Sequence, residues 1–282
     1  MSEYAIQIKG LEKHFKQFSL GPMDLSVPKG AVVGYIGQNG AGKSTTMKLM
    51  LGLLKPDKGS IRVLGEKDTQ NAAIKDRIGV VFDNLFLPDE LNAREAARFC
   101  GSVYTRWDEA QFQEYLHRFQ LPERQSIKSY SRGMKMKLSM AIALSHHAEL
   151  LLLDEATSGL DPIAREEILD ALLAFMLPEE HSVLISSHIL SDLEKIADYI
   201  VFIDKGKLLF QETKDALRED YGLCAVNDTQ LKEIDKAAIV GMRSHAFGKE
   251  LLVKRCLMPP QLPLERPSIE DIMIYFLKGD TL

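Results

Sequence analysis

The chain has 282 residues, 45% of them hydrophobic, and a net charge of -5. That is enough apolar material for a sizeable core, and the negative balance argues against nucleic acid as the main partner, because phosphate binding needs a basic surface. Cys100, Cys224 and Cys256 lie too far apart for a metal-ligand spacing or a disulfide framework, which points to a reducing cytosol. No basic segment followed by an apolar run opens the sequence, so no signal peptide is expected. No apolar run approaches the ~20 residues of a membrane span.

Ala5 to Lys9 alternates apolar and polar residues and reads as a half-buried strand. Phe18 to Val27 supplies further short β material, broken at Gly21-Pro22. Phe15, with Phe18 second, is the candidate to stack on an adenine ring; a core aromatic is the other reading. The apolar run Ala31 to Ile36 predicts a buried strand, and Thr46 to Leu54 a helix. Between them stands Gly37-Gln38-Asn39-Gly40-Ala41-Gly42-Lys43-Ser44-Thr45, which fits the phosphate-cradling P-loop pattern. Its glycines let phosphate oxygens approach the backbone, and successive N–H groups at a helix N-terminus point at them. Gly37, Asn39, Gly40, Ala41, Gly42 and Thr45 therefore belong to the phosphate site. Lys43 would reach the β- and γ-phosphates and Ser44 would ligate Mg²⁺.

Pro56 and Gly59 end that helix. Ser60 to Leu64 and Ile78 to Phe82 read as strands, the second ending at Asp83. Glu90 to Tyr104 and Asp108 to Phe119 carry helical spacing without a catalytic set, and suggest a helical insert. Ser131 is placed to cap a helix through Ser145, and Gly133 would let backbone approach a ligand. Leu150 to Leu153 followed by Asp154-Glu155 suits a central parallel strand ending in two carboxylates. Asp154 would hold Mg²⁺ through a water and Glu155 would polarise the attacking water. Asp161-Pro162 reads as N-cap and first residue of the next helix. Ser182 to Ser187 is another buried strand ending in His188, which is placed to reach a γ-phosphate. A helix Ser191 to Ala197 and a hairpin from Tyr199 to Phe210 follow. Beyond Asp220 the pattern changes: Leu223 to Val226 and Leu251 to Leu257 read as strands, Met258 to Pro263 as an extended break, and Ser268 as the cap of a last helix through Leu277.

From the first strand to about Asp215, these stretches in this order resemble the ATP-binding subunits of ABC transporters. Gly37 to Thr45 looks like Walker A, Leu150 to Glu155 like Walker B with its glutamate, Ser158 to Asp161 like the D-loop, and His188 like the switch histidine. Tyr130-Ser131-Arg132-Gly133-Met134 occupies the place of the family signature, usually Leu-Ser-Gly-Gly-Gln. Phe15 falls where the adenine-stacking aromatic lies. Pro267 to Asp271 is similar to the tail of bacterial single-domain ATPases that pair with separate export-type membrane subunits. Two departures matter: the signature keeps Ser131 and Gly133 but has Arg132 for its first glycine and Met134 for its glutamine, and Asp83 stands where the Q-loop glutamine lies. Asp83 still offers an oxygen to Mg²⁺ or to the lytic water.

The resemblance implies an α/β P-loop NTPase fold of ABC type with an N-terminal antiparallel β part. It implies an ATP-binding domain over 1–220 with a helical insert at about 84–145, and a small α+β appendage over 221–282. It implies ATP and Mg²⁺ as cofactors, and a head-to-tail dimer with a second copy or a homologous subunit. In that dimer Ser131, Gly133 and Asp161 of one copy meet the nucleotide of the other. It also implies hydrolysis of ATP that drives separate transmembrane permease subunits from the cytoplasmic face of the membrane. The alternatives are a soluble ABC ATPase or a nucleotide-dependent regulatory subunit with little turnover.

Overall fold

The computed structural model describes residues 3–67, 69–245, 248–259 and 262–278. The chain divides into two compact units, Met1–Gln211 and Glu212–Leu282.

In the first unit, β1 (Tyr4–His14) and β2 (Ser19–Pro28) lead to β3 (Val32–Ile36), α1 (Lys43–Met50), β4 (Lys58–Val63), α2 (Ala72–Lys75) and β5 (Ile78–Val81). Three helices follow before the next strand: α3 (Ala93–Val103), α4 (Glu109–Arg118) and α5 (Arg132–Leu144). Then come β6 (Leu150–Asp154), α6 (Pro162–Phe175), β7 (Ser182–Ser187), α7 (Leu190–Ile196), β8 (Tyr199–Asp204) and β9 (Lys207–Thr213). Strands β2-β1-β4 form an antiparallel sheet. The larger sheet has the order β5-β6-β7-β3-β8-β9, and β5, β6, β7, β3 and β8 are parallel. All residues of β3, β6 and β7 are buried, the signature of parallel strands covered on both faces. The register pairs Ile36 with Ser187 and Asp154 with Ser186. The carboxyl ends of three strands that are distant in sequence therefore lie level at one edge, where ligands of open α/β sheets gather.

Local chemistry sets the helix ends and corrects several sequence boundaries. Helix α1 starts at Lys43 and stops at Met50 rather than running to Leu54. Gly52, at φ 67, reverses the chain, and the N–H groups of Gly52 and Leu53 return to the carbonyls of Leu49 and Lys48. Helix α3 starts after Asn92, not at Glu90, because Asn92 and Glu95 form a reciprocal capping box. Ser131 and Asp161 cap α5 and α6 as their sequence contexts predict, and Asp108 caps α4, which starts one residue later, at Glu109.

The second unit holds α8 (Lys214–Asp220), β10 (Tyr221–Val226), α9 (Asp228–Glu233), β11 (Ile239–His245), β12 (Gly248–Lys254) and α10 (Ile269–Lys278). Its antiparallel sheet has the order β10-β12-β11 over a core that includes Cys224, Val226, Ile234, Leu251 and Val253. The division falls after Gln211 rather than at Asp220, because α8 packs on β10 and α10. Strand β11 is absent from the sequence reading; its middle, Gly241-Met242-Arg243-Ser244, has no strong β signal, and pairing with β12 holds it. Strand β12 ends at Lys254, and Arg255–Leu257 turns as a short 3-10 helix. Of the expected break from Met258 to Pro263, Pro260 and Gln261 lie outside the described residues. Ser268 caps α10: its Oγ accepts from the Asp271 N–H at 3.0 Å, and its own N–H donates to Asp271 Oδ2 at 2.9 Å. Among the described residues no helix is long and apolar enough to cross a membrane.

Candidate nucleotide site

The loop between β3 and α1 carries Gly37 to Thr45. Gly42 sits at φ 113, a conformation that side chains rarely adopt, and it stands as the N-cap of α1 with no side-chain cap on the first N–H groups. Beneath it, the buried Tyr35 hydroxyl lies 3.0 Å from Thr46 Oγ1, which donates to the Gly42 carbonyl at 2.9 Å. Since Thr46 spends its proton on Gly42, Tyr35 is the donor to Thr46. Burial raises the Tyr35 phenol far above its ordinary value, so it keeps that proton. Tyr35 and Thr46 brace the loop, a role that the sequence alone does not show, because neither lies inside the motif.

Lys43 is 6% exposed, and its ammonium donates to the Gly37 carbonyl at 2.7 Å. It also lies 3.1 Å from Glu155 Oε1, as a charge contact rather than an aligned hydrogen bond. Glu155 Oε2 is 2.5 Å from His188 Nδ1. Lys43 at the start of α1 and His188 after β7 are thus linked through the Glu155 carboxylate after β6. Glu155 adopts φ 56, uncommon for a side-chain-bearing residue. Its N–H donates to both the Ser186 carbonyl and Ser186 Oγ at 3.1 Å, which holds this conformation. Ser186 Oγ in turn donates to Asp154 Oδ1 at 2.7 Å. The sequence reading assigns Ser186 no role; its place at the end of a buried strand, two residues before His188, is the signal available.

Ser44, Asp83, Asp154 and Glu155 line a cleft of about 530 Å³ together with Lys48 and Phe86. The structure therefore brings together the P-loop, the two carboxylates at the end of β6, Asp83 in the segment after β5, and His188. It does not bring Ser131, Gly133 or Asp161 into that cleft. Those three form a separate cluster. Ser131 Oγ accepts from the Met134 N–H at 3.2 Å, and Asp161 Oδ1 accepts from the N–H groups of Ile163 and Ala164, each at 3.0 Å. The Ala164 N–H, more than any other group, holds the Asp161 carboxyl below its ordinary value. Gly133 faces Ala164 and Asp161, where an added Cβ would lie 3.6 and 4.0 Å from them. Phe15 is 43% exposed at the β1–β2 turn, with the Lys13 ammonium 5.8 Å from its ring. It is not a core aromatic. The Phe18 ring lies closer to the P-loop, 3.1 Å from where a Cβ on Gly42 would stand.

Comparison with known proteins decides the family. The profile of the family described as ABC transporter matches residues 20–158. The daunorubicin resistance ATP-binding protein DrrA3 of Streptomyces coeruleorubidus is 34% identical over 79% of this chain and 72% of its own length. The bacitracin transport ATP-binding protein BcrA of Bacillus licheniformis is 30% identical over 94% of each chain. The chain belongs to the ABC transporter family. It is an ATP-binding, ATP-hydrolysing member, and its first unit has the fold of ABC ATPase domains. A solved ATP-binding subunit of an ABC transporter superposes with a TM-score of 0.69 at 27% identity, covering 76% of this chain and 92% of that one. A dimeric ATP-binding cassette solved with ADP and Pi superposes with a TM-score of 0.66 at 22% identity, covering 74% and 98%, and adds to the likeness of fold.

Proposed function

We propose that this chain is the ATPase subunit of an export-type transporter, and that two copies, or one copy and a homologous subunit, close head to tail around two Mg-ATP. The observation that carries this reading is the linkage of Lys43, Glu155 and His188 through a single carboxylate at the rim of the 530 Å³ cleft. Lys43 binds the β- and γ-phosphates. Glu155 accepts a proton from the attacking water, and His188 orients Glu155 and meets the γ-phosphate. Phe15, with Phe18 second, stacks on the adenine, which its exposure permits.

Ser44, Asp83 and Asp154 present a hydroxyl and two carboxylates to the same cleft, hard oxygen donors that fit Mg²⁺. Among the described residues no three His, Cys, Asp or Glu side chains converge as a metal cage. That suits an ion held largely by phosphate and water with one or two protein oxygens. When bound, Mg²⁺ supplies charge neutralisation to the phosphates.

Ser131, Gly133 and Asp161 lie outside the cleft of their own chain, so in this reading they serve the nucleotide of the partner copy. The transmembrane subunits dock at an apolar groove of about 290 Å³ whose lining includes Phe82, Phe86, Phe99 and Val103. Phe86, Phe99 and Val103 are exposed, and a clustered apolar lining of this kind marks an interaction site. The chain then works on the cytoplasmic face of the membrane. The names of relatives, which concern daunorubicin resistance, bacitracin transport and lantibiotic transport, support export as the direction.

Steady-state phosphate release by the wild-type chain and Lys43→Ala tests the enzyme reading: the variant falls to background, and equal rates would overturn it. Sizing Glu155→Gln with saturating Mg-ATP tests the sandwich. A dimer is expected, and a monomer under those conditions sinks the arrangement.

A further inference from the structure

Asp83 and Arg132 are two of the positions where the sequence departs from the family pattern, and the structure puts them on one groove. This groove, of about 460 Å³, is lined by Asp83, Asn84, Arg132, Lys135 and Ser139 among others. It is distinct from the nucleotide cleft, and Asp83 is the residue common to the linings of both. Lys135 is tied to Asp89 at 2.7 Å. Asp83 and Arg132 have no ion pair among the described residues. Arg132 is exposed and rests against the loop before α6; a Cβ on Gly159 would meet its Nη1 at 2.6 Å. Two opposite charges thus face one groove, each without a partner, and one of them also faces the cleft.

We propose that Asp83 and Arg132 form a switchable ion pair across this groove, which reports the state of the nucleotide cleft to the start of α5. This inference rests on the reading of the 530 Å³ cleft as the nucleotide site. A carboxylate engaged by a phosphate-bound cation or its water is not available to a guanidinium, so the two uses of Asp83 compete. When the cleft engages Asp83, Arg132 returns to Gly159 and stays with the loop that leads to Asp161. When the cleft releases it, Arg132 swings to Asp83 and draws the N-terminus of α5 towards the segment after β5. An exposed ion pair is weak and screened by salt, so it biases two positions of α5 rather than clamping one. The coupling is reciprocal: whatever pulls Arg132 away makes Asp83 more available to the cleft. The paired departures also explain each other in charge, since the added anion and the added cation share one groove.

The test is a cycle of nucleotide affinities on the full chain. Mg-ADP is the probe, because it lacks the γ-phosphate that draws two copies together. Arg132→Gln frees Asp83 and tightens Mg-ADP about threefold at low salt. The same substitution made in Asp83→Asn has no effect on affinity, and high salt removes the threefold difference. An equal effect of Arg132→Gln in both backgrounds overturns the pair. Failure of the wild-type chain to bind Mg-ADP instead removes the cleft reading, and this proposal with it. A second arm reads proximity without relying on charge. Asp83→Cys with Arg132→Cys, in a Cys256→Ser background because Cys256 is exposed while Cys100 and Cys224 are buried, is treated with a short bifunctional thiol reagent. Cross-linking is expected, and slows when Mg-ADP is added. Its absence in a folded, Mg-ADP-binding variant overturns the pair.

Discussion

The Lys43 ammonium and Glu155 Oε1 stand 3.1 Å apart, with both side chains largely buried. The P-loop lysine is thus held by the residue proposed as the base. A phosphate that recruits Lys43 must compete with this carboxylate. Glu155→Gln therefore changes two quantities in opposite senses. Nucleotide binds about fivefold tighter, since a neutral amide no longer holds the ammonium, while kcat falls by about a hundredfold or more with the base removed. Equilibrium binding and phosphate release measured on the same preparation check this. Unchanged affinity would mean that the ion pair does not compete with phosphate.

Ser131 has a local role that can be separated from its role towards a partner. Its Oγ satisfies the Met134 N–H at the start of α5. Ser131→Ala should cost about 1 kcal/mol of stability, seen as a Tm lower by a few degrees. Ser131→Asp keeps the cap, so its Tm stays near wild type, but it places an anion where the partner's γ-phosphate would sit. ATP-driven dimerisation is then lost without loss of fold. If Ser131→Asp still dimerises with ATP, Ser131 does not face the partner's nucleotide.

His146 gives the first unit a pH dependence. The imidazole is fully buried and stacked on Tyr104, with centroids 4.0 Å apart. Its Nδ1 lies 3.1 Å from the Asp76 carbonyl, so the neutral ring carries its proton there, and Nε2 is left buried without a partner. Burial lowers its pKa below the ordinary 6.5. The unfolded state then binds a proton more readily than the folded state. This contribution to stability is fully present above the ordinary value and is lost as pH falls through the folded value. Urea midpoints of wild type should drop on acidification below about pH 6.5, and His146→Phe, which keeps the stack, should show a flatter profile over the same range. Parallel profiles would remove His146 as the cause.

Arg165 and Asp192 form an ion pair between α6 and α7 in which the carboxylate is buried and the arginine side chain is 29% exposed. Asp192 is 2% exposed and its Oδ2 lies 3.9 Å from Arg165 Nε, while Arg165 Nη2 donates to the Leu160 carbonyl at 3.3 Å. Arg165→Met leaves a buried carboxylate without its cation and should cost about 1–2 kcal/mol, less than a fully buried pair because the arginine is part-exposed, whereas Arg165→Met with Asp192→Leu should recover most of that loss. Thermal unfolding of the three variants reads both numbers. Additive losses would show that the two side chains do not act as a pair.

Much of this chain is legible without coordinates because its signals are contiguous. The P-loop, the leucine run ending at Asp154-Glu155, and the caps at Ser131, Asp161 and Ser268 each depend on residues a few positions apart, and short-range sterics and hydrogen bonding set them. Helix ends were less legible where a reversal or a reciprocal cap decided them, as at Gly52 and Asn92. Strand β11 was invisible because its partner β12, rather than its own composition, holds it.

The amino-acid order by itself determined which residues can cradle phosphate, which carboxylates end a buried strand and which family the chain resembles. Only the tertiary structure decided that Lys43, Glu155 and His188 share one carboxylate, that Ser186 and Tyr35 brace them, and that Asp83 and Arg132 line one groove. The reason is the strand order β5-β6-β7-β3-β8-β9. It makes neighbours of segments far apart in the chain, and no local propensity encodes which strand end will stand beside which.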